Sequence, residues 1–325
     1  MHSPDPSRIV DVLCAHWQTA ALIAAIDLGV FTALGGRSRS ASELAGACRA
    51  DRPSLERLCD FLVSLGLLRS AKGRYRSAAD AARFLDVRSP DSLTAIPGFF
   101  NAAPVSTAFA DLSATVRGRR TTVPSRVWPA FATSTLALRR RAAKEIASVL
   151  VGRGLGGGRI LDVGAGASPL GIELLRRWPG ATLVARDRAS VLRIARQHAK
   201  AAGVSRRVVP VAGDVSKADW GGPFDLVLMV NVLDYFDEPA QRRLLRKAFH
   251  ALRPGGTLVI VAPLLGADRR SPPEAAAYDL LLLALGSRGR PATWRERQRQ
   301  LRRAGFGVVS RSARAGIVLG RTRLR

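Results

Sequence analysis

The stretch Arg159-Ile-Leu-Asp-Val-Gly-Ala-Gly-Ala167 decides how this chain of 325 residues is read. Its short apolar run has the continuous hydrophobicity of a strand buried on both faces, and it passes directly into a Gly-x-Gly turn. Gly164 and Gly166 let the following backbone approach a ligand closely at a helix N-terminus, the layout of a nucleotide-type cofactor site. A dinucleotide fingerprint wants a third glycine three residues after the second, and that position is Pro169. Working outward, Asp187 closes the next apolar run, Ala181-Thr-Leu-Val-Ala-Arg186, where a carboxylate can take a pair of ribose hydroxyls. Asp214 follows Val208-Val-Pro-Val-Ala212 in the same manner. Three acids, Asp162, Asp187 and Asp214, at successive strand ends suit an adenosine better than a phosphate, which carboxylates repel.

Beyond the glycines the pattern alternates. Strands are expected at 159–163, 181–186, 207–212, 225–230 and 257–262, with helices at about 168–178, 189–202 and 238–252. Such alternation with continuous apolar strands predicts an α/β fold, a parallel sheet covered on both faces, whose ligands sit beyond the carboxyl ends of the strands. Gly307-Val-Val-Ser310 and Ala315-Gly-Ile-Val-Leu-Gly320 are spaced for a closing antiparallel hairpin. Five glycines between Gly152 and Gly158 mark a boundary upstream.

Before that boundary, 9–34 reads as a helix with an apolar stripe of Ile9, Leu13, Ala20, Ile23 and Ile26. Ser42-Glu-Leu-Ala45, a turn at Asp51-Arg-Pro53, and a helix bearing Leu55, Leu58, Leu62 and Leu65 follow. Gly66–Tyr75 reads as a small hairpin about a glycine turn. Three helices and a hairpin describe a winged helix. The region 99–150, with Trp128, Phe131 and a helix carrying Leu136, Leu138 and Ile146, would join the two parts and roof a pocket.

Quoted together, Leu161-Asp-Val-Gly-Ala-Gly166, Asp187 with Ser190-Val-Leu192, Gly213-Asp214, Asn231-Val-Leu233, Ala251-Leu-Arg-Pro-Gly-Gly256 and Ala304-Gly-Phe306 resemble the successive motifs of the S-adenosylmethionine-dependent small-molecule O-methyltransferases. These are the plant caffeate, hydroxyindole and bacterial polyketide-tailoring types, and the resemblance runs nearly end to end. It implies a Rossmann-like seven-stranded methyltransferase sheet with an N-terminal mainly α winged-helix domain. The domains expected are 1–98 for dimerisation, 99–151 as linker helices lining the substrate pocket, and 152–325 for catalysis. It also implies S-adenosyl-L-methionine held by Asp162, Gly164, Gly166, Asp187, Asp214 and the backbone of Val215. Trp128 and Phe131 become candidate walls for an aromatic or polyketide-like acceptor.

One implied element is missing. The family places a catalytic histidine in a Leu-His motif after the fourth strand, and here the segment reads Leu233-Asp234-Tyr235-Phe236. The four histidines, His2, His16, His198 and His250, lie elsewhere. The glutamate that supports that histidine falls, by counting back from Ala304-Gly-Phe306, on Pro291. Three roles stand open for Asp234: a base raised by burial, a steering group for an acceptor that needs no base, or a residue of a relative diverted to non-methylating tailoring chemistry.

Composition bounds the rest. Lys and Arg number 51 against 25 acids, a net charge of +26. The excess is mostly arginine and spread along the chain, so it reads as compositional bias, with Arg288–Arg303 a solvated helix face. A winged-helix regulator that binds DNA is the competing reading; a homodimer without nucleic-acid partners is the one favoured. Cys14, Cys48 and Cys59 match no metal motif and are expected as inert thiols. Met1–Arg8 lacks an apolar leader, and the longest apolar runs, such as Leu280–Leu285, are too short for a bilayer, so a cytoplasmic protein without membrane partner is expected.

Overall fold

The computed structural model describes residues 5–120, 122–312 and 316–323. Met1–Pro4 of the expected leaderless start, His2 among them, and Ala315 of the expected final strand lie outside them. The chain divides into two compact units, Met1–Pro97 and Gly98–Arg325.

The first unit packs helices Ser7–Asp27, Val30–Leu34, Ala41–Cys48, Arg52–Ser64 and Ala79–Phe84 against a sheet of β1 (Arg39–Ser40), β2 (Leu68–Ala71) and β3 (Arg74–Ser77), in the order β1-β3-β2. The single helix expected over 9–34 is broken at Gly29, whose φ of 71° lies in the left-handed region. Asp51 begins a helix where a turn was expected: its carboxylate accepts from Ser54 N, and Pro53 occupies the first turn. Ser40 and Glu43 form a reciprocal capping box at Ala41–Cys48. Phe31, Leu34, Leu44, Leu55, Leu62 and Leu68 make the core of this unit. Cys48 and Cys59 are buried within it, and burial pushes the Cys59 thiol up to about 12, so it stays protonated; Cys14 is half-buried.

The helix Ser7–Asp27 corrects one expectation. Its 21 residues contain an 18-residue window of mean hydropathy 1.6, long and apolar enough, by length and composition, to cross a bilayer. Alanines and scattered polar side chains dilute any contiguous apolar run, which hides this in a reading by runs.

The second unit is built on seven strands: β4 (Arg159–Val163), β5 (Thr182–Asp187), β6 (Val208–Ala212), β7 (Phe224–Val230), β8 (Leu252–Val261), β9 (Val308–Arg311) and β10 (Ile317–Arg321), ordered β6-β5-β4-β7-β8-β10-β9. β4, β5, β6, β7 and β8 run parallel, while β10 is antiparallel to both β8 and β9. Side chains alternate between two buried layers. Ile160, Leu226 and Leu228 face a layer containing Ile146, Leu150, Leu170 and Leu174. Leu161, Val163, Val227 and Met229 face one containing Leu244, Leu245 and Leu301. β8 begins five residues before the expected Thr257, because Leu252 pairs with Phe224 across an irregularity in the ladder. In the helix Leu136–Gly152 the inward face is Ala143, Ile146, Ala147 and Leu150, whereas Leu138 is exposed.

β4 and β7, the strands flanking the reversal of strand order, are central, and their carboxyl ends open into the loops that carry the candidate residues.

Candidate active site

The loop after β4 is fixed from three sides. Gly164 N and Ala165 N both donate to the Arg186 carbonyl at the end of β5, at 2.9 and 3.1 Å. Gly166 N donates to Asp187 Oδ2 at 2.9 Å, and Asp187 Oδ1 accepts from Arg188 N at 2.7 Å. His198, from the helix Ala189–Ala201, meets the Ala167 carbonyl through Nδ1 at 2.9 Å, and burial lowers its pKa, so the ring is neutral. Both glycines are required by the backbone, with φ of 66° at Gly164 and 59° at Gly166. A methyl group on Gly164 would also sit 2.5 Å from Val232 Cγ2, just past β7, while the space around Gly166 is open.

Asp187 is half-buried and its pKa is raised by burial, against the pull of its two amide donors and Arg188. Asp162 lies deeper. Its Oδ2 accepts the Ser168 hydroxyl at 2.6 Å, Oδ1 has no partner, and burial pushes its pKa up to about 7. Ser168 itself is left-handed, with φ of 51°, so this bond steadies a strained residue at the start of helix Pro169–Arg177. Asp214 is exposed and its Oδ1 accepts from Ser216 N and Oγ, which holds its pKa low. The carbonyl of Val215 is taken by Trp220 Nε1 at 2.9 Å. Gly213 N donates to the Asp187 carbonyl, so the Asp214 loop is tied to the end of β5.

Asp234 sits in a 3-10 turn, Leu233–Tyr235, directly after β7. It is fully buried, and its Oδ1 accepts from Arg297 Nη2 at 2.6 Å, with neither side chain exposed. Burial raises Asp234 to about 6 against the opposing pull of Arg297, and Oδ2 has no partner. Arg297 Nη1 donates to Gln300 Oε1 at 2.9 Å and to Gln241 Oε1 at 3.4 Å. Ser287 Oγ donates to the Tyr235 carbonyl at 3.0 Å, and any side chain at Gly289 would collide with the carbonyls of Asp234 and Phe236. The turn is therefore clamped from the strand, from helix Trp294–Arg303 and from the loop before that helix.

Arg297 is the exception to the reading of Arg288–Arg303 as mostly a solvated helix face. A capping box, Thr293 with Glu296, starts this helix and turns Arg297 inward between Trp294 and Leu301 on its apolar stripe. A charge interrupting a stripe was the available sign of a buried pair. Pro291, the position of the missing glutamate, is buried six residues upstream and has no polar side chain to offer.

Trp128 and Phe131 belong to an aromatic group beside this turn. Trp128 meets Tyr235 edge-on with ring centroids 5.4 Å apart, and Arg188 stacks over its ring at 5.7 Å. Trp128 thus touches the residue after Asp187 and the residue after Asp234. Phe131 packs on Phe99 at 4.6 Å. Glycine loop, Asp187, Asp234 and aromatic group all lie at one end of the sheet, whereas Asp162 lies beneath the loop.

Comparison with known proteins bears on the family and the fold. Residues 146–307 match the O-methyltransferase domain family, and residues 10–87 the O-methyltransferase dimerisation domain. The chain is 31% identical to a 3-hydroxy-5-methyl-1-naphthoate 3-O-methyltransferase of Streptomyces sahachiroi, over 94% of this chain and 90% of that protein. It is 27% identical to a tetracenomycin polyketide synthesis 8-O-methyl transferase of Streptomyces glaucescens, over 97% and 95% of the two. A protein of Nostoc punctiforme PCC 73102 assigned as an O-methyltransferase superposes with a TM-score of 0.92 at 30% identity, covering 99% of this chain and all of that one. Fold and end-to-end identity agree, and the chain belongs to the O-methyltransferase family.

Proposed function

We propose that this enzyme methylates a hydroxyl oxygen of an aromatic, polyketide-like small molecule in a biosynthetic pathway, using S-adenosyl-L-methionine. The observation that carries the reading is the Gly164–Gly166 loop clasped by Asp187. Two left-handed glycines with open space at Gly166 leave room for a ligand where a side chain would fill it, and Asp187 keeps lone pairs for ribose hydroxyls. In this reading Gly164, Gly166, Asp187, Asp214 and the Val215 backbone hold the cofactor. Asp162 acts on it through Ser168. The two Streptomyces relatives, whose names specify oxygen methylation of a naphthoate and of a polyketide, support the acceptor class. The residues 99–151 would line the acceptor pocket, with Trp128 and Phe131 as walls.

The cofactor supplies an already activated methyl group on a sulfonium. The chain's task is therefore alignment, and proximity with orientation is worth about 7–11 kcal/mol of barrier. We read Asp234 as a positioning residue: one oxygen is spent on Arg297, and the pair holds the turn that presents Tyr235 to Trp128. A second reading, Asp234 as general base, is favoured by its unpartnered Oδ2 and its pKa of about 6.

The N-terminal unit is read as a winged helix that forms a homodimer, which would cover the exposed apolar helix Ser7–Asp27 in the cytoplasm without lipid or nucleic acid. Calorimetric titration with S-adenosylmethionine and S-adenosylhomocysteine tests the central claim. Both should bind, and Asp187→Ala should abolish binding while leaving the thermal transition in place; no heat from either ligand refutes it.

A further inference from the structure

Two polar groups near Tyr235 carry donor capacity that no carboxylate takes up. Arg139, on the helix Leu136–Gly152, is half-buried with its guanidinium 4.8 Å over the Phe131 ring. The hydroxyls of Tyr235 and Tyr278 are the ionisable groups that face it, and no carboxylate among the described residues pairs with it. The two acids of this neighbourhood are committed elsewhere, Asp234 to Arg297 at 2.6 Å and Asp279 to Arg290 at 2.7 Å. The Tyr278 hydroxyl is buried, has the Tyr235 hydroxyl as its near polar neighbour, and completes no full hydrogen bond among the described residues. Burial raises the pKa of both tyrosines, so each remains a proton donor. A buried donor left short of partners is destabilising, and a cation without a counter-ion adds to that. An arginine with no carboxylate partner and a buried tyrosine donor with spare capacity, beside Phe131 and Trp128 as flat apolar walls, describe a site completed by an anion on an aromatic ring.

We propose that Arg139 and Tyr278 bind a carboxylate carried by the acceptor, so that the enzyme selects hydroxyaryl carboxylic acids. This rests on the methyl-transfer reading above and names the acceptor class within it. A carboxylate offers two oxygens to the guanidinium fork and can take the tyrosine hydroxyl as well; a phenolate has one oxygen and cannot use the fork. Binding through the carboxylate leaves the ring hydroxyl free to be the methylated atom. Trp128, in contact with Tyr235 on one side and Arg188 on the other, places this group between the cofactor loop and the Asp234 turn. Arg139 is then a specificity-determining residue.

The test is equilibrium binding of hydroxybenzoic and hydroxynaphthoic acids against their methyl esters, by calorimetry on the full chain, with and without saturating S-adenosylhomocysteine. At least one acid should bind about tenfold or more tightly than its ester, the scale of one charge-assisted hydrogen bond. Arg139→Met should erase that contrast while leaving ester binding and S-adenosylhomocysteine affinity unchanged. Arg139→Lys, which keeps the charge without the fork, should preserve a reduced contrast, and Tyr278→Phe should weaken the acid only. Acids binding no better than esters across the panel, or Arg139→Met weakening acid and ester alike, would overturn the proposal. So would an Arg139 effect that appears only as the phenol ionises. S-adenosylhomocysteine binding reports on the methyl-transfer reading, and the acid-against-ester contrast is read whether or not that ligand binds.

Discussion

Asp234 and Arg297 form a buried pair, and this changes which variant is informative. Asp234→Asn leaves Arg297 charged and enclosed, and breaking one side of such a pair typically costs about 3–5 kcal/mol. Loss of activity in that variant would therefore report unfolding as readily as chemistry. Replacing both, Asp234→Leu with Arg297→Met, removes two charges together and is close to neutral in stability when volumes match. If alignment carries catalysis, the double variant should retain kcat within about tenfold with an unchanged pH profile. A fall of about 100-fold or more, with the thermal transition intact and an ionisation near 6 lost from the pH profile, would identify Asp234 as the base. Asp162 gives a second measurement. Its pKa is raised, so the folded state holds the proton more tightly than the unfolded chain does. Below the ordinary 3.8 both states are protonated; stability then falls as pH rises towards about 7, where the buried carboxyl ionises, and is flat above. Asp162→Asn should remove that slope and raise the melting temperature at pH 8, while S-adenosylhomocysteine still binds through the loop that Ser168 anchors. Weakened ligand binding with unchanged pH dependence would show that Asp162 is a direct contact.

At the level of elements, the sheet was legible because its signal is local. Continuous apolar runs such as Phe224–Val230 admit few alternatives to a strand buried on both faces, and the acids at their ends mark the carboxyl edge. Helix Trp294–Arg303 shows what was not legible. Its arginine content suggests a solvated face, yet the capping box sets a rotation that buries Arg297, and its partner lies 63 residues away in the chain. Counting spacing to Pro291 could not find this, because side-chain pairing across elements leaves no periodic trace. His198 escaped for the same reason, bracing the glycine loop from the helix Ala189–Ala201, whereas Ser168 bonds Asp162 only six residues away and escaped because a left-handed serine at a helix start has no periodic mark. The two loop glycines permit a test of that bracing. A left-handed non-glycine residue costs about 1–2 kcal/mol, and at Gly164 a methyl group also meets Val232. Gly164→Ala should therefore lower the melting temperature more than Gly166→Ala. The Gly166 variant should instead act mainly on cofactor affinity, because its methyl group points into open space. Equal effects on both readouts would mean that the space at Gly166 is not where the ligand sits.

Across the whole molecule, two features call for partners, and one quantity separates them. The net charge of +26 would draw any polyanion. Helix Ser7–Asp27 leaves Ile9 65%, Val12 72%, Leu13 68% and Trp17 58% exposed, an apolar stripe of a kind that soluble monomers seldom leave uncovered. The same helix lies within the stretch matching the O-methyltransferase dimerisation domain, so its apolar length reads as interface in preference to a membrane span. Burial of apolar area is insensitive to screening, whereas contacts between arginine and phosphate weaken steeply with salt. Light scattering should thus give twice the mass of one chain at both about 0.05 and about 0.5 M salt, with any duplex DNA binding gone by about 0.2 M. Leu13→Asp with Trp17→Asp, which puts two charges into the stripe without touching the core of the unit, should shift the protein towards monomer while its far-ultraviolet dichroism is unchanged. A wild type that scatters as a monomer, or a doubly substituted protein that stays dimeric, would move the interface off this helix. DNA binding that survives 0.2 M salt would give the basic surface a role that its dispersed arginines do not suggest.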